Sequence, residues 1–283
     1  MINIRLLILL LVSLTGYAQP VKTYTNSIGV EFVAVPAGNF TVGKFQPTTS
    51  RFGFLEQYRK DSTDNMGLPE LKPSTYKIAP TLALRDARSG FTVTMSPFYI
   101  GKFEITQTQW KKVMGTNPSY FQRNNIESNT DNFPVETVSW KDVQRFIKKL
   151  NQLEKGKAVY RLPSEFEWEY AARAGNTDDI SWAEINATAH IAKQTPQLVG
   201  QKKPNAWGLY DMLGNVWEWV DDYYNEKIFA DPTPPKKAKH HVLKGSCFYG
   251  DVKNATYMTH AGGPGSGYDT GFRLVVEIEG DGK

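Results

Sequence analysis

Cysteine is almost missing from this chain: Cys247 is the only one in 283 residues. No intramolecular disulfide can form, so stability has to come from packing or bound ions. Long apolar runs are missing too. The longest, Leu6 to Leu14, is well short of the ~20 residues a membrane-spanning helix requires. Charge of one sign is scarce, because 33 Lys and Arg against 29 Asp and Glu leave a formal +4. That is too little and too scattered for a nucleic-acid surface. The basic pairs Lys202-Lys203 and Lys236-Lys237 sit in Pro-containing stretches and read as solvated loops. There is no internal repeat, no low-complexity tract and no linker between two cores, so a single domain is expected.

Aromatics and turn formers are abundant instead, with 7 Trp, 14 Tyr, 15 Phe, 23 Gly and 16 Pro. This composition excludes a Leu/Ala/Glu helical bundle and predicts a loop-dominated globule. The first residues place Arg5 ahead of the apolar run, then Gly16 and Ala18 at −3 and −1 of a cut. That reads as a cleaved signal peptide over residues 1–18, with a membrane anchor as the alternative. A soluble mature chain without a membrane span, periplasmic or secreted, is expected from it.

Local patterns suggest where elements lie. Glu31–Pro36 and Phe40–Val42 read as a hairpin around Ala37-Gly38-Asn39. Residues 44–90 are polar and lack periodicity, and read as a surface insertion. Phe91–Met95 and Phe98–Ile105 return to strand patterns. Three helices carry start signals: Thr106 with Gln109, Ser139 with Asp142, and Ser164 with Glu167. In the second helix, Val143, Phe146, Ile147, Leu150 and Leu153 recur at the 3.6-residue period, while Lys141, Arg145, Lys148 and Lys149 occupy the other face.

Four segments occur in order: Pro134-Val-Glu-Thr-Val-Ser-Trp140, Tyr160 to Arg173, the unbroken stretch Pro204 to Trp219, and Gly271-Phe-Arg273. Together they resemble the formylglycine-generating enzyme family, also called the sulfatase-modifying factor family, over roughly Asn26 to Val276. The resemblance implies an α+β fold in one domain, related to C-type lectins and low in regular structure.

The segment Asp211-Met-Leu-Gly214-Asn-Val216-Trp-Glu218 also has a chemical reading of its own. Two carboxylates flank a glycine turn, and hard oxygen ligands of this kind suit Ca²⁺. Capped turns beneath a Trp cluster are the alternative. The resemblance implies a calcium ion held by the side chains of Asp211 and Glu218 and the carbonyls of Gly214 and Val216. It also suggests a second calcium site near Asn186.

The catalytic machinery of the family does not carry over. Formylglycine-generating enzymes hold Cu(I) with two cysteines, soft thiolates that suit that ion. They lie at the third and eighth positions after the Ser of a Gly-Ser pair. Here the pair is Gly245-Ser246, and those positions hold Tyr249 and Asn254. Copper is therefore not expected, and no catalytic residue can be assigned. Cys247 is a candidate nucleophile, with a buried apolar cysteine as the alternative. The resemblance places Ser246, Tyr249 and His260 on the wall of a substrate or partner groove, with the glycine-rich stretch 261–268 as a rim loop. Glu165, Glu167 and Glu169 read as helix scaffold rather than as acid–base groups. Two functions follow from this. One is an extracytoplasmic, calcium-stabilised binding or structural module of the cell envelope, with a protein or peptide partner. The other is an oxidoreductase acting on a protein or small thiol through Cys247 or an unassigned metal.

Overall fold

A computed structural model describes residues 22–42, 77–78, 90–122, 126, 128–177, 180, 182–225, 228, 233, 235–250, 255–263 and 265–279. The expected leader lies outside them, as do Asn254 and all of the expected insertion except residues 77–78 and 90. The chain folds as one mixed α+β domain built on two curled five-stranded sheets and one two-stranded sheet.

The first sheet has the order β1 (Thr23–Thr25), β2 (Glu31–Val35), β6 (Phe98–Gly101), β12 (Val275–Ile278), β7 (Ala158–Arg161), and all of its pairings are antiparallel. The second runs β11 (Thr270–Gly271), β8 (Trp217–Tyr223), β9 (His241–Lys244), β10 (His260–Gly263), β4 (Lys77–Ile78), with β11 parallel to β8. In the third, β3 (Gly38–Val42) pairs antiparallel with β5 (Phe91–Met95). The expected hairpin is therefore not formed. β2 and β3 are neighbours in sequence but join different sheets, because β2 takes β1 and β6 as partners and leaves β3 to β5.

All three signalled helices form. α1 (Gln107–Met114), α2 (Trp140–Leu153) and α3 (Glu165–Arg173) each open on a complete capping box, at Thr106, Ser139 and Ser164. The reciprocal hydrogen bonds satisfy main-chain donors that would otherwise be orphaned at a helix start. α2 buries Val143, Phe146, Ile147 and Leu150 as its period predicts. Leu153 does not join that face and is 58% exposed, because the helix stops there at the Glu154 cap. A fourth helix, α4 (Trp182–Thr188), forms where no periodicity announced one.

Aromatic side chains fill the core. Trp110 stacks on Phe146 at 5.1 Å, and Phe272 meets both edge-on. The glycine-rich stretch is not a rim loop at its start. His260–Gly263 is a buried strand, and a side chain at Gly263 would collide with the Trp219 ring, 2.1 Å from where its Cβ would lie.

Candidate functional site

The loop 211–217 is wound tightly, with Asp211, Gly214 and Asn215 all at positive φ. Gly214 has no room for a Cβ, which would lie 2.3 Å from the His190 carbonyl oxygen. Asn215 fixes the loop from the inside. Its Nδ2 donates to Glu104 Oε2 (3.1 Å), its Oδ1 accepts from the Gln197 amide (2.8 Å), and its own amide donates to the His190 carbonyl (2.8 Å). The same loop is tied to the cysteine loop by two main-chain bonds, Gly214 N–H to Gly245 O (2.8 Å) and Phe248 N–H to Asn215 O (2.6 Å).

Glu218 has a different task from the expected one. Arg273 donates Nε to its Oε2 (2.6 Å) and Nη2 to its Oε1 (2.7 Å), and Trp168 Nε1 adds a third bond to Oε2 (2.8 Å). Both of its oxygens are therefore committed to protein donors, in a pair with almost no solvent contact. The remaining guanidinium donors reach the carbonyls of Gly101, Tyr210 and Asp211. Burial works against the charge of Arg273, but Glu218 outweighs it and holds the guanidinium above its ordinary pKa, helped by Glu104 and Asp211.

Three carboxylates thus share one cation. Burial pushes Glu104 well above the usual carboxylate range, and Asp211 and Glu218 push it further. Burial likewise raises Asp211 to about 6, against the Gly200 amide that donates to its Oδ2 (2.7 Å). Asp211 Oδ1 and Glu104 Oε1 are buried without a hydrogen-bond partner, and His190 Nε2 lies 3.7 Å from Asp211 Oδ1. Among the described residues no group of three or more His, Cys, Asp or Glu side chains is arranged to hold a metal ion. Of the expected calcium ligands, Asp211 fits a cation, since it keeps an unpartnered buried oxygen and could act with main-chain oxygens of Gly214 and Val216. Glu218 does not fit. At the second expected site, the Asn186 carbonyl accepts from the Lys202 ammonium (3.0 Å), so a cation of the chain's own meets that oxygen.

The cysteine loop leaves β9 through Gly245 and Ser246, both at positive φ. Cys247 is 1% exposed and packs into the core cluster that holds Trp217 and Trp219. Burial pushes its thiol well above the ordinary range, and the Asp269 charge adds to the effect. A thiol kept protonated in this way is a poor nucleophile. Tyr249 occupies the first cysteine position of the family pattern. Its hydroxyl donates to Asp269 Oδ2, and its ring packs against Phe248 and Tyr268. Tyr120, Tyr249 and Tyr268 are half-buried over a floor of Phe121 and Phe248, forming one aromatic patch.

The three residues expected on one groove wall do not meet there. Tyr249 is half-buried, whereas Ser246 is 1% exposed and serves the turn. His260 is fully buried, across the sheet from Lys244, with Nδ1 2.9 Å from Glu165 Oε1. It belongs to a buried charge ladder in which Lys244 lies 3.8 Å from Glu165 and 3.5 Å from Glu169, and Glu169 pairs with Arg173. The carboxylates of α3 are scaffold, as expected: Glu167 serves the capping box, and Glu165 and Glu169 balance buried cations. Sequence reasoning gave no role to Lys244, Arg273 or Glu104. The available signal was a charged residue inside an apolar run, as in Val242-Leu-Lys244 and Phe272-Arg-Leu274.

Comparison with known proteins agrees with this architecture. The model of the sulfatase-modifying factor enzyme 1-like domain matches residues 18–278. The chaperone protein LppX of Paenibacillus barcinonensis is 29% identical over 68% of this chain and 86% of its own length. The formylglycine-generating enzyme of Streptomyces coelicolor is 31% identical, but over only 41% of this chain and 42% of its own length. Among solved structures, Treponema denticola variable protein 1 superposes with a TM-score of 0.65 at 24% identity, covering 91% of this chain and 99% of its own. PvdO from Pseudomonas aeruginosa gives 0.64 at 22% identity, covering 92% and 99%. At those identities the two structures speak for the fold alone. With the family model spanning nearly the whole described fold, the chain belongs to the sulfatase-modifying factor enzyme 1-like (FGE-sulfatase) family.

Proposed function

We propose that this chain is an extracytoplasmic member of the family that makes no formylglycine and works as a binding or structural module of the cell envelope. One observation carries the proposal: where the family places its first copper-binding cysteine, this chain has Tyr249, hydrogen-bonded to Asp269, and its lone thiol is buried beside it. A two-thiolate Cu(I) centre cannot be built from a single protonated thiol. The same burial weighs against the rival reading of Cys247 as a thiol-modifying nucleophile.

The patch of Tyr120, Tyr249 and Tyr268 is the surface on which a protein or peptide partner would dock. Half-exposed aromatics over a buried floor combine large contact area with little conformational freedom to lose. Calcium belongs to the proposal in a narrowed form, held by Asp211 with carbonyls of Gly214 and Val216, while Glu218 stays with Arg273. Export rests on the leader-like residues 1–18.

Incubation with Cu(I), O2 and a cysteine-containing sulfatase peptide is the test. The expected result is a peptide of unchanged mass. Aldehyde product formed at enzymatic rates overturns the proposal and makes Cys247 a copper ligand.

A further inference from the structure

The net charge of the chain is small, but it is not evenly spread. Residues 140–157, which make up α2 and the turn after it, hold six basic and two acidic side chains, a surplus equal to the +4 of the whole sequence. Both acids are spent locally. Asp142 closes the capping box with Ser139 and pairs with Arg145, while Glu154 is 1% exposed and accepts the Ser27 amide (3.3 Å). Lys141, Arg145, Lys148, Lys149, Lys155 and Lys157 are all exposed. Among the described residues, Lys148, Lys149, Lys155 and Lys157 pair with no carboxylate.

Apolar exposure is concentrated at the same end of the helix. Leu153 (58%) and Val159 (47%) are the two large apolar side chains that stay exposed among the described residues, and they flank the turn joining α2 to β7. That turn is closed by main-chain bonds, with the Lys157 and Ala158 amides donating to the Glu154 carbonyl (2.9 and 3.4 Å). Lys155 and Lys157 stand on it, and Lys148 and Lys149 lie about one helical turn before Leu153.

Nearby acids do not cancel the lysines. Glu277, opposite Val159 in the strand pair, is taken by Arg161 (3.1 Å), which leaves the exposed Glu279 against four ammonium groups. Outside the described residues, 280–283 add one Asp and one Lys, and 43–76 with 79–89 add seven basic and five acidic side chains. Neither stretch holds a surplus of acid to set against the patch. We propose that the turn end of α2 docks on an anionic phospholipid surface. Leu153 and Val159 enter the headgroup layer, and the four lysines lay their aliphatic stems along it while their ammonium groups meet lipid phosphates. A nucleic acid or an acidic protein would use the lysines but not the two aliphatic side chains among them; a lipid surface uses both. Neither the tyrosine patch nor the calcium loop takes part, so the outcome bears on this surface alone.

Co-sedimentation of the exported protein with vesicles tests this, using phosphatidylcholine alone and phosphatidylcholine mixed with phosphatidylglycerol. The protein should pellet with the anionic vesicles only, and less so as salt rises from about 0.1 M to 1 M and the reach of a charge falls from about 10 Å to 3 Å. The double variants Lys148→Gln/Lys149→Gln and Lys155→Gln/Lys157→Gln should each weaken binding by about 25-fold, from about five-fold per lysine. Leu153→Ala with Val159→Thr should weaken it by roughly 10-fold and keep the salt response. Lys236→Gln/Lys237→Gln removes the same charge from another exposed stretch and should leave binding unchanged. No pelleting with anionic vesicles at low salt overturns the proposal, as does equal binding to the neutral ones. An equal loss in Lys236→Gln/Lys237→Gln would reduce the attraction to a diffuse one and defeats it too. If the lysine variants lose binding and Leu153→Ala with Val159→Thr does not, the patch is a general polyanion surface and the lipid assignment is wrong.

Discussion

Replacing Glu218 by Gln tests the centre of the fold. The substitution keeps the shape of the side chain and one acceptor, but removes the charge that faces the Arg273 guanidinium at 2.6 and 2.7 Å. Removing one partner of a fully buried pair costs about 3–5 kcal/mol, because the other charge is left uncompensated. Arg273 keeps its bonds to the carbonyls of Gly101, Tyr210 and Asp211, and Glu104 and Asp211 still attract it, which places Glu218→Gln at the low end. Arg273→Met belongs at the high end, since it leaves three carboxylates without a cation. At roughly 2–4 °C per kcal/mol for a chain of this size, the two variants should lose about 6–12 °C and 10–20 °C of melting temperature. The double variant should be less destabilised than the sum of the two, because each single change strands a charge that the double change removes. Thermal and urea unfolding of the four proteins provide the measurement. Additive losses within about 0.5 kcal/mol, or a melting temperature unchanged in Glu218→Gln, would refute the claim that this pair organises the site.

Glu136 supplies a pH dependence. It is fully buried, accepts the amides of Tyr120 and Phe121 (3.1 and 2.9 Å), and burial raises its pKa to about 7. The folded state therefore holds a proton that the unfolded chain releases near 4.5, so stability should fall as pH rises from about 4.5 to 7 and then level off. The drop is about 3 kcal/mol from this one group, and Glu136→Gln should remove it from a pH series of urea melts. A series in which the variant keeps the wild-type slope would show that another group is responsible. If calcium is held through Asp211, a chelator should lower the melting temperature of wild type, by the equivalent of about 2.7 kcal/mol when calcium had been present at 100 times its dissociation constant. That response should survive in Asp211→Asn, which retains a ligating oxygen and tolerates the left-handed backbone, and vanish in Asp211→Ala. Exported material should begin at Gln19 or within a few residues of it on N-terminal sequencing, and an intact Met1 in the exported protein would contradict the leader.

Local rules were readable where the signal is local. Each capping box needs only residues three apart, and Thr106, Ser139 and Ser164 form theirs as expected. The strand partners were not readable, because β3 carries the same alternation whether it folds back on β2 or crosses to β5. Cys247 was legible as a buried apolar residue from its place in the run Val242 to Tyr249, although the strand in that run ends at Lys244. His260 was placed on a groove wall by the resemblance alone, with no signal of its own in the sequence. Its true position follows from Glu165, 95 residues away in sequence, which supplies the buried acceptor. The calcium ligands divide in the same way. The turn at Gly214 follows from the local sequence, but the commitment of Glu218 depends on Arg273, 55 residues further on.

The order of the first sheet has a consequence for how the chain acquires its fold. β6 lies between β2, at residues 31–35, and β12, at residues 275–278, and among the described residues β7 pairs in that sheet with β12 alone. A chain emerging from its N-terminus can make α1 and α2 early, since helices need only nearby residues. It cannot close the sheet or bring Arg273 to Glu218 until residues 273–278 have been released. Pairings of such long sequence separation are slow, and the exposed edges of β6 and β7 are adhesive while they wait. Closure of the first sheet therefore waits for β12, whichever of its other strands are already in place. Deleting β12 should leave the chain in an incompletely folded, protease-sensitive state, because β6 and β7 then lose the strand between them.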